Sequence, residues 1–211
     1  MLQVAEIFHS IQGESTAAGR PCVFVRLSGC NLACRYCDTE YAREATGQGM
    51  SMAEILAAVS LFNCRLVEVT GGEPLLQPET PELLEKLAEA GYEVLVESNG
   101  TLPLPESRRW RAILDMKCPG SGAADSFAPV NLERLRKGDE IKFVVGGRAD
   151  FEWALGRIAE LDLTALGCEL LFSPVFGKCS PDQLAAWILA SAPSPPVRMQ
   201  LQLHRHIWPL A

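Results

Sequence analysis

Apolar and polar positions along this chain switch repeatedly between a period of two, that of a strand, and one of about 3.6, that of a helix. Short β-branched or aromatic runs at Val4–Phe8, Cys22–Leu27, Leu66–Thr70, Tyr92–Glu97, Ala112–Met116, Glu140–Val145 and Glu169–Phe172 predict strands. Most are closed by a polar or glycine-bearing segment, and the stretch His9–Ser15 reads as a loop. Met52, Ile55, Leu56 and Val59 recur at helical spacing behind Ser51, which forms a capping-box pattern with Glu54. Pro81–Ala90 gathers Leu83, Leu84, Leu87 and Ala88 on one face and ends at Gly91, a favourable helix terminator. Val130–Arg136 predicts a brief helix, and Asp150 is placed to cap another whose Phe151, Ala154, Leu155, Ile158 and Leu161 share a face. Ser180-Pro181-Asp182-Gln183 opens a last helix, which Ala192-Pro193-Ser194-Pro195-Pro196 breaks. Val197–Leu203 alternates like a final strand.

Strands that alternate with amphipathic helices imply repeated βαβ units and a parallel sheet. Right-handed crossovers would curl about six such strands into an open, partial barrel or a doubly wound sheet. The chain has no internal repeat and no low-complexity segment, so one α/β domain over residues 1–211 is expected. The glycine-rich and polar segments gather after the strands, at the edge where α/β folds bind ligands.

Composition narrows the partners. A net charge of −7 supplies no basic excess for a nucleic-acid backbone. No apolar run approaches the roughly 20 residues of a membrane helix. Met1–Glu6 lacks the basic-then-apolar pattern of a signal peptide, and the chain reads as cytosolic. In a reducing compartment clustered cysteines bind metal more often than they form disulfides. Cys22, Cys64, Cys118, Cys168 and Cys179 are scattered and read as buried thiols. Cys30, Cys34 and Cys37 are different, because all three fall within eight residues of one loop after a strand.

Three thiolates hold an iron–sulfur cluster of four irons with one iron left open to a ligand. Structural zinc is the competing reading, but it requires a fourth ligand, and His204 and His206 stand too close together for the usual histidine pair. The spacing C-x3-C-x2-C, with Tyr36 before the third cysteine, resembles the radical S-adenosylmethionine (SAM) superfamily. That resemblance implies a partial TIM-like βα barrel of parallel strands. It implies a [4Fe–4S] cluster on Cys30, Cys34 and Cys37, whose open iron is chelated by SAM. Gly71-Gly72-Glu73-Pro74 matches the superfamily's second motif, whose backbone grips the methionine amino group. By the same resemblance Tyr36, Cys37 and Asp38 lie beside the adenine. Gly72, Met116-Lys117-Cys118 and Ser173-Pro174-Val175-Phe176 are candidate SAM contacts, with core packing the rival reading for Met116 and Phe176.

The flanking segments narrow the resemblance further. Ile11-Gln12-Gly13-Glu14, Phe24–Leu32, Cys37-Asp38-Thr39, Asp115–Gly122 and Gln202-Leu203-His204 are similar to the 7-carboxy-7-deazaguanine synthase family over nearly the whole chain. The family implies contraction of 6-carboxy-5,6,7,8-tetrahydropterin to 7-carboxy-7-deazaguanine with loss of ammonia, on the way to queuosine and other 7-deazapurines. It also implies Mg2+, a homodimer and a flavodoxin-like or ferredoxin-like electron donor. A carboxylate such as Glu14 accepts from the guanidine-like edge of a pterin, with Gln12 supplying an amide. The planar fork of Arg26 suits the substrate carboxylate. Ile11, Gly13, Thr70, His204 and the C-terminal Ala211 complete the expected substrate contacts, and Thr39 the magnesium ligand. Glu97 ends a strand within reach of the substrate or of the SAM ribose. Two alternatives stay open at this point: another small radical SAM enzyme, such as a glycyl-radical activase, and a non-catalytic zinc module.

Overall fold

The computed structural model describes residues 1–44, 46–191 and 197–208. Among the described residues nine strands form one sheet in the order β3-β1-β2-β4-β5-β6-β7-β8-β9. They are β1 (Leu2–Ile11), β2 (Pro21–Leu27), β3 (Gln48–Met50), β4 (Leu66–Gly71), β5 (Glu93–Ser98), β6 (Arg111–Asp115), β7 (Glu140–Val145), β8 (Glu169–Pro174) and β9 (Arg198–Met199). From β2 to β9 every pairing is parallel, whereas β1 runs antiparallel to both β2 and β3. The sheet does not close, so the architecture is the expected partial barrel with an antiparallel edge added. Its helices are α1 (Met52–Ser60), α2 (Thr80–Glu89), α3 (Val130–Arg134), α4 (Arg148–Glu160), α5 (Pro181–Ser191) and α6 (Leu203–Ile207). Among the described residues no helix is long and apolar enough to cross a membrane.

Alternation along the strands builds two cores. Val23, Val25, Val67, Val69, Val94, Val96, Leu114, Phe143 and Phe172 face outward and pack beneath the helices. Burying each such side chain contributes roughly 1.5–3 kcal/mol. The intervening positions face the barrel interior. Cys22, Phe24, Leu66, Leu95 and Ile113, with Ala17 from the loop after β1, form a second apolar cluster at the N-terminal end of the strands. Toward the C-terminal end the interior changes character: Arg26, Glu68, Glu97, Asp115 and Lys142 line an open cavity instead.

The structure corrects several local expectations. His9–Ile11 belongs to β1 and pairs with Val23, Cys22 and Pro21, because cross-strand bonding outweighs the segment's polar sequence. The helix expected at Val130–Arg136 stops at Arg134. The expected final strand shrinks to Arg198–Met199, and Leu203–Ile207 is helical. Asp150 does not cap α4; Gly147 does, and the Asp150 carboxylate in the first turn accepts from Gly120 N (2.7 Å) and Gly146 N (2.8 Å). Ser51 and Glu54 form the anticipated capping box. The helix break at positions 192–196 and the Ala211 terminus lie outside the described residues.

Candidate active site

The cysteine loop is pinned to the rim by the ends of several strands. After β4, Gly72 N donates to Leu27 O (3.1 Å) and Glu73 N to Gly29 O (2.8 Å). A Cβ at Gly72 would fall on the carbonyl of Gly29, so glycine is what permits this approach. Buried Glu73 accepts from Leu75 N (2.9 Å), Ser98 Oγ (2.9 Å) and Asn99 N (2.7 Å). Asn99 reaches the loop itself: its Nδ2 lies 3.0 Å from Asn31 Oδ1 and 3.9 Å from Cys30 Sγ. From the far side Ser121 O accepts from Arg35 N (3.0 Å), and Val144 O accepts from the Tyr36 hydroxyl (3.2 Å).

Cys30, Cys34 and Cys37 are free thiols that share one cavity of about 480 Å3. Leu32 N donates to Cys30 Sγ at 3.4 Å. Burial pushes the Cys34 thiol up, while the charge of Lys117 pulls it back toward the thiolate. Lys117 is itself paired with Asp115 at 2.8 Å. Three soft ligands on one anchored loop, with backbone and ammonium donors beside them and open space in front, fit a [4Fe–4S] cluster with one iron exposed to the cavity.

Below the loop lies a ring of buried charge. Lys142 Nζ contacts Glu14 Oε2 (2.9 Å), Glu97 and Asp115 Oδ2 (3.7 Å). Burial would depress the ammonium, but Glu14, Glu97 and Asp115 together hold its pKa well above the ordinary lysine value. Glu14 also accepts from Gln202 Nε2 (3.1 Å) and Gln200 Nε2 (3.3 Å). Burial raises the Glu14 carboxyl, Lys142 opposes the shift, and Glu97 adds to it. The amide of Gln12 has a fixed sense, because its Oε1 accepts from Glu14 N (2.9 Å) and its Nε2 therefore donates to Glu68. Glu68 is fully buried and held well above the usual carboxylate range, by burial first and then by Glu97.

Most expected site residues meet here: Gln12, Gly13, Glu14, Arg26, Tyr36, Asp38, Thr39, Thr70, Gly72, Glu97, Lys117 and His204 all line this cavity. Ile11 does not; it pairs with Pro21 at the end of β1. Met116 and Cys118 are buried in the outer core, so their side chains pack rather than face the cavity. Ser173, Pro174 and Val175 are buried, and Phe176 is exposed beside a smaller hollow of about 340 Å3. Thr39 Oγ1 lies 3.8 Å from Cys37 Sγ. Glu14, Asp38 and His204 each bring one ligand atom to within 4.8 Å of the others, a set able to hold a cation. Burial would raise the Asp38 carboxyl, but His204, whose Nε2 lies 3.8 Å from Oδ2, and the charge of Lys142 bring it below the usual range. Lys142, Glu68 and Gln200 were missed from sequence, and Gln202 was read only as part of the tail segment that carries the resemblance. For Lys142 and Glu68 the signal was a charge inside a mostly apolar parallel strand, a kind normally buried on both faces.

An open parallel barrel with three free cysteines on its C-terminal rim is the build of a radical SAM enzyme, and the Radical SAM superfamily model matches residues 24–160. The chain is 46% identical to the 7-carboxy-7-deazaguanine synthase of Chlorobaculum tepidum, over 98% of this chain and 94% of that protein. It is 42% identical to the synthase of Koribacter versatilis, over 98% and 97%. The chain therefore belongs to the 7-carboxy-7-deazaguanine synthase family of radical SAM enzymes. The crystal structure of QueE from Escherichia coli has the same fold, with a TM-score of 0.73 at 22% identity over 95% of this chain and 93% of that one.

Proposed function

We propose that this protein is a 7-carboxy-7-deazaguanine synthase, converting 6-carboxy-5,6,7,8-tetrahydropterin to 7-carboxy-7-deazaguanine with loss of ammonia. The observation that carries the reading is the pairing of Glu14 and Arg26 in one cavity with the three cysteines. Glu14 would accept from the donor edge of the pterin, and the Arg26 fork would take its carboxylate. Cys30, Cys34 and Cys37 would hold the cluster; Tyr36, Asp38, Gly72 and Lys117 would hold SAM. When bound, these cofactors supply a carbon radical that removes a hydrogen atom from the substrate. The chain's own task is to orient the ring against that radical and to keep water out.

Thr39 would serve Mg2+, a hard ion that completes its shell with substrate oxygens and water. His204 is a further substrate contact in this reading. A cytoplasmic homodimer reduced by a flavodoxin-like or ferredoxin-like donor is the setting we propose. Anaerobic incubation of the iron-loaded protein with SAM, a reductant, Mg2+ and the carboxypterin tests the assignment. The deazaguanine product is expected; SAM cleavage without it would overturn the substrate while sparing the superfamily.

A further inference from the structure

We infer that Glu6 and Tyr41 are positioning residues that set the guanidinium of Arg26 for a carboxylate; this rests on the assignment of Arg26 to the substrate carboxylate. The argument begins with a fault in the β1–β2 ladder. Val4 pairs with Leu27, but the next pair is Glu6 with Arg26, so Ala5 is an extra, bulged residue. A regular strand would keep Leu2, Val4, Glu6 and Phe8 on one face. Here Leu2 and Val4 enter the outer core beneath the helices. Past the bulge, Glu6 and Phe8 sit opposite Arg26 and Phe24, and Phe8, Phe24 and Arg26 line the cavity. Bulges re-aim side chains in this way.

The re-aimed carboxylate holds Arg26 by one nitrogen. Arg26 Nε donates to Glu6 Oε1 at 2.9 Å, and the same oxygen accepts from the Tyr41 hydroxyl at 2.5 Å. The guanidinium carbon lies 5.6 Å from the Phe8 ring centroid and 6.0 Å from that of Tyr41, between two aromatic faces. An arginine has five N–H donors, and among the described residues only Nε of Arg26 has a partner. Both Nη groups are left free at a residue that lines the cavity. With the Glu6 side chain 40% exposed, the ion pair contributes little to stability. Orientation is what it supplies. Tyr41 also belongs to the short turn after the cysteines, where Ala42 O accepts from Gly29 N (2.9 Å) and Arg43 O from Cys30 N (3.1 Å). The brace thus ties the carboxylate subsite to the cysteine loop.

Reconstituted wild-type, Glu6→Ala, Glu6→Gln, Tyr41→Phe and Arg26→Ala enzymes test the inference through KM and kcat for the carboxypterin. Binding of tetrahydropterin without the carboxylate to the SAM-loaded proteins provides a second readout. Glu6→Ala should raise KM roughly tenfold with kcat nearly unchanged, since a misaligned fork loses ground-state and transition-state binding alike. Glu6→Gln, whose amide oxygen still accepts, should recover to within about threefold of wild type, and Tyr41→Phe should fall between them. The ligand without a carboxylate should bind all five proteins equally. An unchanged or lower KM in Glu6→Ala overturns the brace, as does equal weakening of both ligands. If Arg26→Ala itself fails to discriminate the two ligands, the assignment of Arg26 is wrong and the brace falls with it.

Discussion

Lys142 Nζ and Glu14 Oε2 stand 2.9 Å apart inside the barrel, joining residues 128 positions apart in the chain. The ammonium is the hub for Glu14, Glu97 and Asp115, and its side chain is 4% exposed. Removing one partner of a buried ion pair strands the other in a low dielectric. Lys142→Met should therefore cost about 3 kcal/mol of stability, read from denaturant unfolding. The deficit should shrink as pH falls, because burial holds the stranded Glu14 carboxyl above its ordinary value and it takes up a proton in the folded state. A deficit that does not change with pH would show that the lysine acts by packing alone.

Glu14 is the acceptor in that pair and the residue expected to read the pterin's donor edge. Glu14→Gln exchanges a charged acceptor for a neutral amide that turns a donor toward a donor. Hydrogen bonds to charged groups contribute about 1.5–3 kcal/mol, so kcat/KM should fall roughly 10- to 100-fold, with iron content unchanged. The wild-type pH profile gives an independent check. Burial holds the Glu14 carboxyl above its ordinary value, so the binding-competent anion is lost on acidification earlier than a surface carboxylate would be. The acid limb of kcat/KM should lie above the usual carboxylate range and vanish in Glu14→Gln.

Glu68 carries the opposite expectation. It is 1% exposed and, through burial and the charge of Glu97, held well above the usual range, so folding favours its protonated form. For such a group stability is fully present below the unfolded-state pKa and lost as pH rises toward the folded one. Glu68→Gln keeps an acceptor for Gln12 and removes that loss. It should raise stability near neutral pH, and by less near the ordinary carboxylate pKa. Melting curves at two pH values measure it. An equal gain at both would mean that ionisation is not the cause.

These interior charges also mark the limit of what the chain reveals before it folds. The outward faces were legible because Val23, Val25, Val67, Val69, Val94 and Val96 alternate with other positions, and the cysteine loop because its spacing is local. Lys142 and Glu68 were not, because their meaning depends on partners far away in sequence. The same holds for Gln200 and Gln202, which sit in a segment read as strand but turned by Leu203–Ile207 into a support for Glu14. His9–Ile11 escaped for the converse reason: polar side chains suggested a loop, while backbone pairing to β2 made it strand.

Gly72 places the local and the distant readings in one test. Its N–H bonds to Leu27 O, and its missing side chain admits the carbonyl of Gly29, one residue before the first cysteine. A methyl group there would meet Gly29 and also Ala42 O at 3.0 Å, both backbone, so neither can rotate away. Overpacking of this kind typically costs 1–3 kcal/mol, and here it falls on the loop that carries the thiols. Gly72→Ala should retain the folded barrel, with a melting temperature lowered by about 4 °C or more. It should incorporate less iron on reconstitution and bind SAM more weakly. Equilibrium dialysis with SAM and iron analysis of the same sample separate the two effects. Full iron loading with unimpaired SAM binding would mean that the rim accommodates the methyl group, and that the contact with Gly29 does not seat the loop.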